Sequence, residues 1–295
     1  MSSPGYNLRN LFRAVGSFAG GDPASTTLER TEASAEVSLL DAGCAQVTAE
    51  PVEVRGWVDG VQSRVVLRYF AHRPVSLCYV AAGAVDSAGQ LVHIDETLTL
   101  ICSEADLDSV AELAATVGEN PLPVTMVSST DPLETQVLSA AVVDDMRNSA
   151  ESEVVRHLCD TGVTPLVVDG DLRARRAVSD MIGVAKTHRT RYLPDESVLW
   201  GLPAGWRSPR FTIDAGGNRP RTSAYLRLHD AAARAWDFGL VRVECWDPDL
   251  VDAACATVLA NRQPPGVSDS RWDRHLGPVA WCEQALRDHR PPEMR

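Results

Sequence analysis

Hydrophobic and polar residues alternate along four segments between residues 53 and 100. The first segment, EVRGWVD, ends at Asp59-Gly60, and the next three span residues 64–72, 75–85 and 92–100. A period of two is typical of strands that bury one face. The pattern therefore predicts a meander of antiparallel strands in this part of the chain.

Helical spacing replaces this alternation after residue 105. Residues 107–117 carry an apolar stripe that ends at Gly118, which predicts a helix and its C-terminal stop. Asp131-Pro132 predicts the start of a longer helix, because aspartate caps a helix N-terminus and proline suits the first helical position. This second helix is expected to extend to about residue 160.

A short apolar run over residues 165–170 (PLVVDG) predicts a buried parallel strand. Further strands are expected over 224–228 and 238–246, and helices over 248–261 and 278–289. Antiparallel strands, a helical stretch and then a buried strand together predict an α/β protein with a mixed sheet flanked by helices.

The chain divides into a short N-terminal part and one large domain. Residues 1–34 are expected to form a helix, with apolar residues at helical spacing from Leu8 to Phe18, followed by a small polar linker. That helix either packs on its own domain or docks on a partner. The remaining residues, 35–295, are expected to form the main domain, with a glycine-, proline- and arginine-rich arm around 200–223.

Composition limits the class of protein. No stretch approaches the roughly 20 apolar residues that cross a bilayer, so a membrane protein is not expected. The seven cysteines are scattered without a CxxC pair, which disfavours a disulfide framework and a structural zinc site. Arg9 and Arg13 interrupt the N-terminal apolar pattern, so no secretory signal is expected there. A cytoplasmic protein is the resulting expectation.

The charge is unevenly distributed. The net charge is −12, which disfavours binding to nucleic acid in general. Between Arg173 and Arg221, however, ten Lys and Arg residues face four Asp and Glu residues, a local charge of +6. An acidic protein with one basic segment can bind a polyanion locally.

Two predicted strands end alike, in Asp59-Gly60 and Asp169-Gly170. An aspartate at the carboxyl end of a strand faces the crevice in which open α/β sheets bind ligands. Two such carboxylates side by side repel each other unless a cation neutralises them, so the pair predicts Mg²⁺ or Mn²⁺. The alternative is that Asp-Gly is a favourable turn dipeptide in both places.

A third carboxylate and a lysine are candidates for the same site. Glu151 shares a helical face with Val154, Val155 and Leu158, which directs it to the protein body, although it could instead lie at the edge of that stripe. Lys186 follows an apolar run about 20 residues after Asp169. Cations beside a carboxylate site suit a phosphodiester substrate, whereas a solvated basic strand end is the alternative interpretation.

These motifs resemble the NurA nucleases. The similarity rests on "VDG", a helical glutamate, "VVDGDL", "GVAKTHRTRYL" and "LVRVECWD", in that order, and covers residues from about 52 to 289. The resemblance implies an RNase H-like fold, a homodimer, Mn²⁺ or Mg²⁺ as cofactor, and degradation of DNA ends together with the hexameric HerA ATPase.

Residue by residue, the resemblance assigns metal binding to Asp59, Glu151 and Asp169, and a catalytic role to Lys186. The family's C-terminal motif has a tyrosine and, eight residues later, a histidine. The corresponding positions here are His275 and Glu283, which is a departure from the family pattern. Glutamate could still bind a hard cation, but a role as proton donor would change.

The expected function is therefore that of a metal-dependent deoxyribonuclease, an exonuclease that could also cut single strands internally. Recombination repair and defence against phage would leave the same residues. The main alternative is a non-catalytic subunit of the same fold that docks on the ATPase and binds DNA. The arginines expected to contact DNA are Arg173, Arg175, Arg176, Arg189, Arg191, Arg207 and Arg210.

Overall fold

A large mixed sheet with helices on both faces forms the body of the protein in the computed structural model. The structure describes residues 7–15, 35–118, 120–173, 178, 180–188, 190, 192–214, 219–231, 234–265 and 272–294. The predicted α/β class is confirmed.

The described strands and helices follow each other in an order close to the prediction. The strands are β1 (Glu36–Leu39), β2 (Ala45–Gln46), β3 (Gly56–Phe70), β4 (Arg73–Val85), β5 (Leu91–Ser103), β6 (Val124–Val127), β7 (Leu166–Asp169), β8 (Met181–Ala185), β9 (Trp206–Arg207), β10 (Phe211–Asp214), β11 (Arg221–Arg227) and β12 (Leu240–Cys245). The helices are α1 (Leu8–Val15), α2 (Leu107–Ala114), α3 (Pro132–Asp160), α4 (Ser197–Trp200), α5 (Val251–Ala260) and α6 (Gly277–His289).

The centre of the sheet contains the predicted meander and the predicted parallel strand. Its order is β5-β4-β3-β7-β8, in which β4 is antiparallel to β3 and β5, and β7 runs parallel to both β3 and β8. The sheet extends from β8 through β12, β11 and β10 to β1, and from β5 to β6. The middle of the sheet is therefore where parallel neighbours end side by side.

Strand β3 differs from the prediction at Asp59-Gly60. The sequence predicted a turn there, but β3 continues through both residues and pairs with β4 as far as Phe70. The chain reverses instead at Ala71 and His72, which both have positive φ (43° and 69°). A two-residue turn with this backbone matches the twist of the strands that it joins.

Helix α3 begins as predicted. Asp131 accepts a hydrogen bond from the backbone N–H of Glu134 at 2.8 Å, and Pro132 occupies the first turn. Val154, Val155 and Leu158 of α3 pack on Val58 and Val168 of the sheet. Because side chains alternate along a strand, the neighbours of Val58 and Val168 face the opposite side. On that side Trp57 and Val167 share a core with α5 and α6.

Helix α1 packs on its own domain: Leu8 and Leu11 are buried in the main core, which decides between the two alternatives for this segment. The expected linker after α1, residues 16–34, lies outside the described residues.

The arm predicted around 200–223 is instead largely part of the sheet. Strand β10 pairs with β1 and β11, and Phe211 and Ile213 are buried. Their alternation was hidden by the surrounding glycines, prolines and arginines. Residues 215–218 of this segment lie outside the described residues.

A search of the described helices for one long and apolar enough to cross a membrane finds none.

Candidate active site

The parallel strands β3 and β7 place the two predicted aspartates side by side. Val58 is paired with Val168, so Asp59 and Asp169 are the next residues along the two strands. Strand β7 ends at Asp169, whereas β3 continues. The edge of β3 therefore opens into a crevice from Asp59 onward, as expected beyond the carboxyl ends of parallel strands.

Asp59 is nearly inaccessible to solvent, with 6% of its surface exposed. The backbone N–H of Gly60 donates a hydrogen bond to Asp59 Oδ1 at 2.7 Å. Burial raises the pKa of Asp59 well above its usual range, and the negative charge of Asp169 raises it further, while Lys186 acts in the opposite direction. Burial and a neighbouring carboxylate both disfavour the ionised form of Asp59, so a nearby positive charge stabilises that form.

Glu151 approaches Gly60, the residue after Asp59, from helix α3. It is 3% exposed, and a Cβ atom on Gly60 would lie 2.5 Å from Glu151 Oε1. Glycine at position 60 is therefore required for this approach. Arg147, one turn earlier on α3, donates from Nη1 to Glu151 Oε1 at 3.3 Å. The negative charge of Glu151 also contributes to the raised pKa of Asp59, after burial and the charge of Asp169.

Lys186 follows β8 directly and pairs with Asp169, with Nζ 2.7 Å from Oδ1. Strand β8 brings it there because β8 runs parallel to β7, with Asp169 paired with Val184. Asp169 and Lys186 thus form an ion pair beside Asp59 of the neighbouring strand, and Glu151 lies against Gly60.

The donor chemistry of these residues suits a hard divalent cation, which prefers carboxylate oxygens. In the described part of the chain, however, no three His, Cys, Asp or Glu side chains are arranged to share one ion. Asp169 is paired with Lys186 and Glu151 with Arg147. Each of these two carboxylates therefore already has a cationic partner.

Helix α6 passes the site and brings Glu283 near it. Cys282 donates from Sγ to the carbonyl of Gly83, the residue paired with Asp59, and burial followed by the charge of Asp59 raises the pKa of Cys282 to about 12. Glu283 accepts a hydrogen bond from Arg287 and borders a groove with Gly60 and Arg147.

His275 is placed differently. It is buried in the segment between α5 and α6. Its backbone forms hydrogen bonds with the backbones of Trp272 and Gln263, which lie in the same segment. These contacts do not join it to the carboxylates.

The structure describes three of the predicted DNA-contacting arginines, Arg173, Arg207 and Arg210, and these three do not form one surface. Arg207 is buried and pairs with Asp41 and Asp252, and Arg210 pairs with the same two aspartates. These pairs hold β9 and the chain after it to the N-terminal strands and α5. Arg173 lies at the crevice, where it donates to Asp171. Arg175, Arg176, Arg189 and Arg191 lie outside the described residues.

The crevice beyond β7 and β8 has a volume of about 460 Å³. It is open, and both acidic and basic side chains line it. The wall formed by α3 includes Asp144, Asp145, Arg147 and Asn148. The other wall includes Asp171, Arg173, Lys186, Tyr192 and Arg242. We call it the strand-end cleft.

A buried ionic cluster supports the strand-end cleft from β11 and β12, and sequence reasoning missed it. Glu244 has no exposed surface, accepts from Arg242 Nε at 2.9 Å and lies 3.4 Å from Arg221 Nε. Glu244 Oε2, the oxygen nearest Arg221, also accepts a hydrogen bond from the backbone N–H of Leu172 at 2.9 Å, which anchors the loop after Asp169. Burial acts to lower the pKa of Arg242, but the charge of Glu244 raises it above its ordinary value overall.

His188 offers a pH-dependent test of this region. Burial lowers the pKa of His188 to about 4, although its ring nitrogen Nε2 contacts the carbonyl of Leu240 at 2.8 Å. The unfolded chain binds a proton at the ordinary histidine pKa of about 6.5. We therefore expect His188 to lower the free energy of unfolding as pH falls from about 6.5 towards 4.

The measurement is thermal unfolding of the protein and of His188→Gln at pH 7 and pH 5. The variant should lose less stability between these pH values, because it takes up one proton fewer on unfolding. His289→Gln, at an exposed position, serves as the control and should follow the parent. Equal pH dependence of all three proteins would contradict this assignment.

Comparison of the sequence with models of known protein families and with curated proteins gives no match.

Proposed function

We propose that the protein is a metal-dependent deoxyribonuclease. The observation that carries the proposal is the pair Asp59 and Asp169 at neighbouring positions of two parallel strands, with Lys186 on Asp169 and Glu151 against Gly60. Neighbouring carboxylates beside basic side chains suit hydrolysis of a phosphodiester, in which a cation and a phosphate group must be held together.

Each residue has a distinct part in this reaction. Asp59, Asp169 and Glu151 would hold Mn²⁺ or Mg²⁺, with Lys186 and Arg147 moving off the carboxylates that they now neutralise. When bound, such a cation lowers the pKa of water and stabilises the leaving oxygen. The displaced Lys186 would then be within reach of the substrate phosphate and would neutralise the charge that develops on it.

An RNase H-like fold is part of the proposal. The central strand order β5-β4-β3-β7-β8, with only β4 opposed in direction among these five, supports it. The position of α3 between the meander and β7 agrees with it as well. The resemblance to NurA nucleases adds the expected substrate, DNA ends, and the expected assembly, a homodimer acting with a HerA-type ATPase in the cytoplasm.

The proposal is tested with end-labelled linear DNA, single- and double-stranded, incubated with the protein and Mn²⁺, Mg²⁺ or EDTA. We expect degradation that requires Mn²⁺ or Mg²⁺ and stops in EDTA. An internally labelled circular single strand separates exonuclease from endonuclease cleavage. Absence of cleavage both for the protein alone and with a copurifying hexameric ATPase would overturn the proposal.

A second candidate is a non-catalytic subunit of the same fold that binds DNA and docks on the ATPase. The pairing of Asp169 with Lys186 and of Glu151 with Arg147 favours it, because these carboxylates are stabilised without a metal. Titration calorimetry with Mn²⁺ distinguishes the two candidates. Binding that Asp59→Asn abolishes supports the nuclease, whereas absence of binding supports the docking subunit.

A further inference from the structure

A second groove lies beside the strand-end cleft and shares Arg147 with it. It has a volume of about 420 Å³ and lies between β3 and helix α6. Gly60, the neighbour of Asp59, forms one end of it. We call it the α6 groove; its lining residues are Gly60, Val61, Gln62, Ser63, Tyr79, Arg147, Glu283, Arg287 and Arg290.

The α6 groove is basic although the protein is acidic. Arg147, Arg287 and Arg290 line it against a single carboxylate, Glu283, whereas the whole chain carries −12. Arg287 is half exposed, and Arg290 donates to Ser63 Oγ at 3.2 Å, which fixes its guanidinium beside β3. Guanidinium groups held in this way are suited to bind phosphate.

Arg147 connects the two grooves, because it lines both of them and also contacts Glu151. The two grooves are therefore neighbours. An extended DNA strand has a phosphate at every nucleotide, so a strand bound in one groove presents further phosphates to the adjoining one.

We infer that a DNA strand bound in the strand-end cleft continues into the α6 groove, with Arg287 and Arg290 contacting its phosphates. This inference rests on the proposed function for its choice of substrate. What it adds to that function is a DNA-binding role for Arg287 and Arg290, which no motif in the sequence indicated.

The experiment measures binding of a fluorescently labelled 20-nucleotide single strand by anisotropy in EDTA, where no cleavage occurs. The protein is compared with Arg287→Gln/Arg290→Gln and with Arg55→Gln/Arg156→Gln, which removes the same charge from exposed positions. We expect roughly tenfold weaker binding only for the groove variant, and a salt dependence reduced by about 1.4 in log–log slope for two lost phosphate contacts.

Further variants separate charge from structure. Arg287→Lys/Arg290→Lys should restore most of the binding, and all proteins should have similar unfolding temperatures. If the groove variant binds the strand as the parent does, or if the parent binds no DNA, the inference is overturned. Loss of binding in the groove variant, together with absence of cleavage by the parent, would support the inference and contradict the proposed catalysis.

Discussion

Asp59→Asn and Asp169→Asn are each expected to lower the rate of metal-dependent DNA cleavage on the order of a thousandfold. Asparagine preserves the shape of the side chain but removes the charge that holds a cation. The two aspartates lie on adjacent positions of paired strands, so each loss should affect the same step. Initial rates on end-labelled DNA with saturating Mn²⁺ provide the measurement.

The stability of the Asp59→Asn variant distinguishes a lost function from a lost fold. Asp59 is a buried carboxylate near two others, and both burial and the charge of Asp169 disfavour its ionised form. Removing that charge relieves an unfavourable interaction, so the unfolding temperature should stay the same or rise. If Asp59→Asn retains full activity, Asp59 is not part of the catalytic site.

The matched control is Asp108→Asn, at an exposed position on α2. It removes one carboxylate from the same chain without touching the sheet. Its cleavage rate and unfolding temperature should equal those of the parent. A comparable loss of activity in this control would show that the loss in the aspartate variants comes from the change in net charge and not from damage to the site.

Local patterns were sufficient to predict the elements that carry the carboxylates. The apolar run before Asp169 and the capping pair Asp131-Pro132 specify β7 and the start of α3 through neighbouring residues alone. Glu151 was placed correctly on the inward face of α3 because helical spacing determines that face.

Contacts between distant segments could not be predicted in the same way. Asp59-Gly60 has the composition of a turn, but pairing with β4 keeps the chain extended there. Gly60 instead provides space for Glu151, a partner 91 positions later in the sequence. Arg207 resembles an exposed basic residue in composition, and only its pairing with Asp41 and Asp252 shows that it is structural.

The buried ionic cluster on β11 and β12 was missed for a related reason. In "LVRVECWD" the charged residues alternate with apolar ones, which is the pattern of a strand with one face in solvent. In this protein the polar face of β12 is covered as well, by the loop after Asp169 and by Arg221. A sequence does not show whether the polar face of a strand is covered by another segment.

Glu244→Gln is expected to cause the largest loss of stability among single substitutions near the site. Glu244 is the shared partner of Arg221 and Arg242, which are 1% and 3% exposed, so its loss removes a carboxylate that two buried cations share. Breaking a buried ion pair costs about 3–5 kcal/mol. Thermal unfolding should show a decrease on the order of 10 °C, at roughly 2–4 °C per kcal/mol for a chain of this size class.

The control is Glu36→Gln, which removes the same charge from an exposed position on edge strand β1 and should leave the unfolding temperature unchanged.

A further variant, Arg221→Met/Arg242→Met/Glu244→Leu, replaces the whole cluster by apolar side chains and should recover most of the lost stability. Its cleavage rate should nevertheless remain low, because Leu172 loses its anchor and Arg242 no longer lines the strand-end cleft. If Glu244→Gln unfolds at the same temperature as Glu36→Gln, the cluster does not hold the sheet together. If the apolar variant cleaves DNA at the parent rate, the cluster does not position the loop after Asp169.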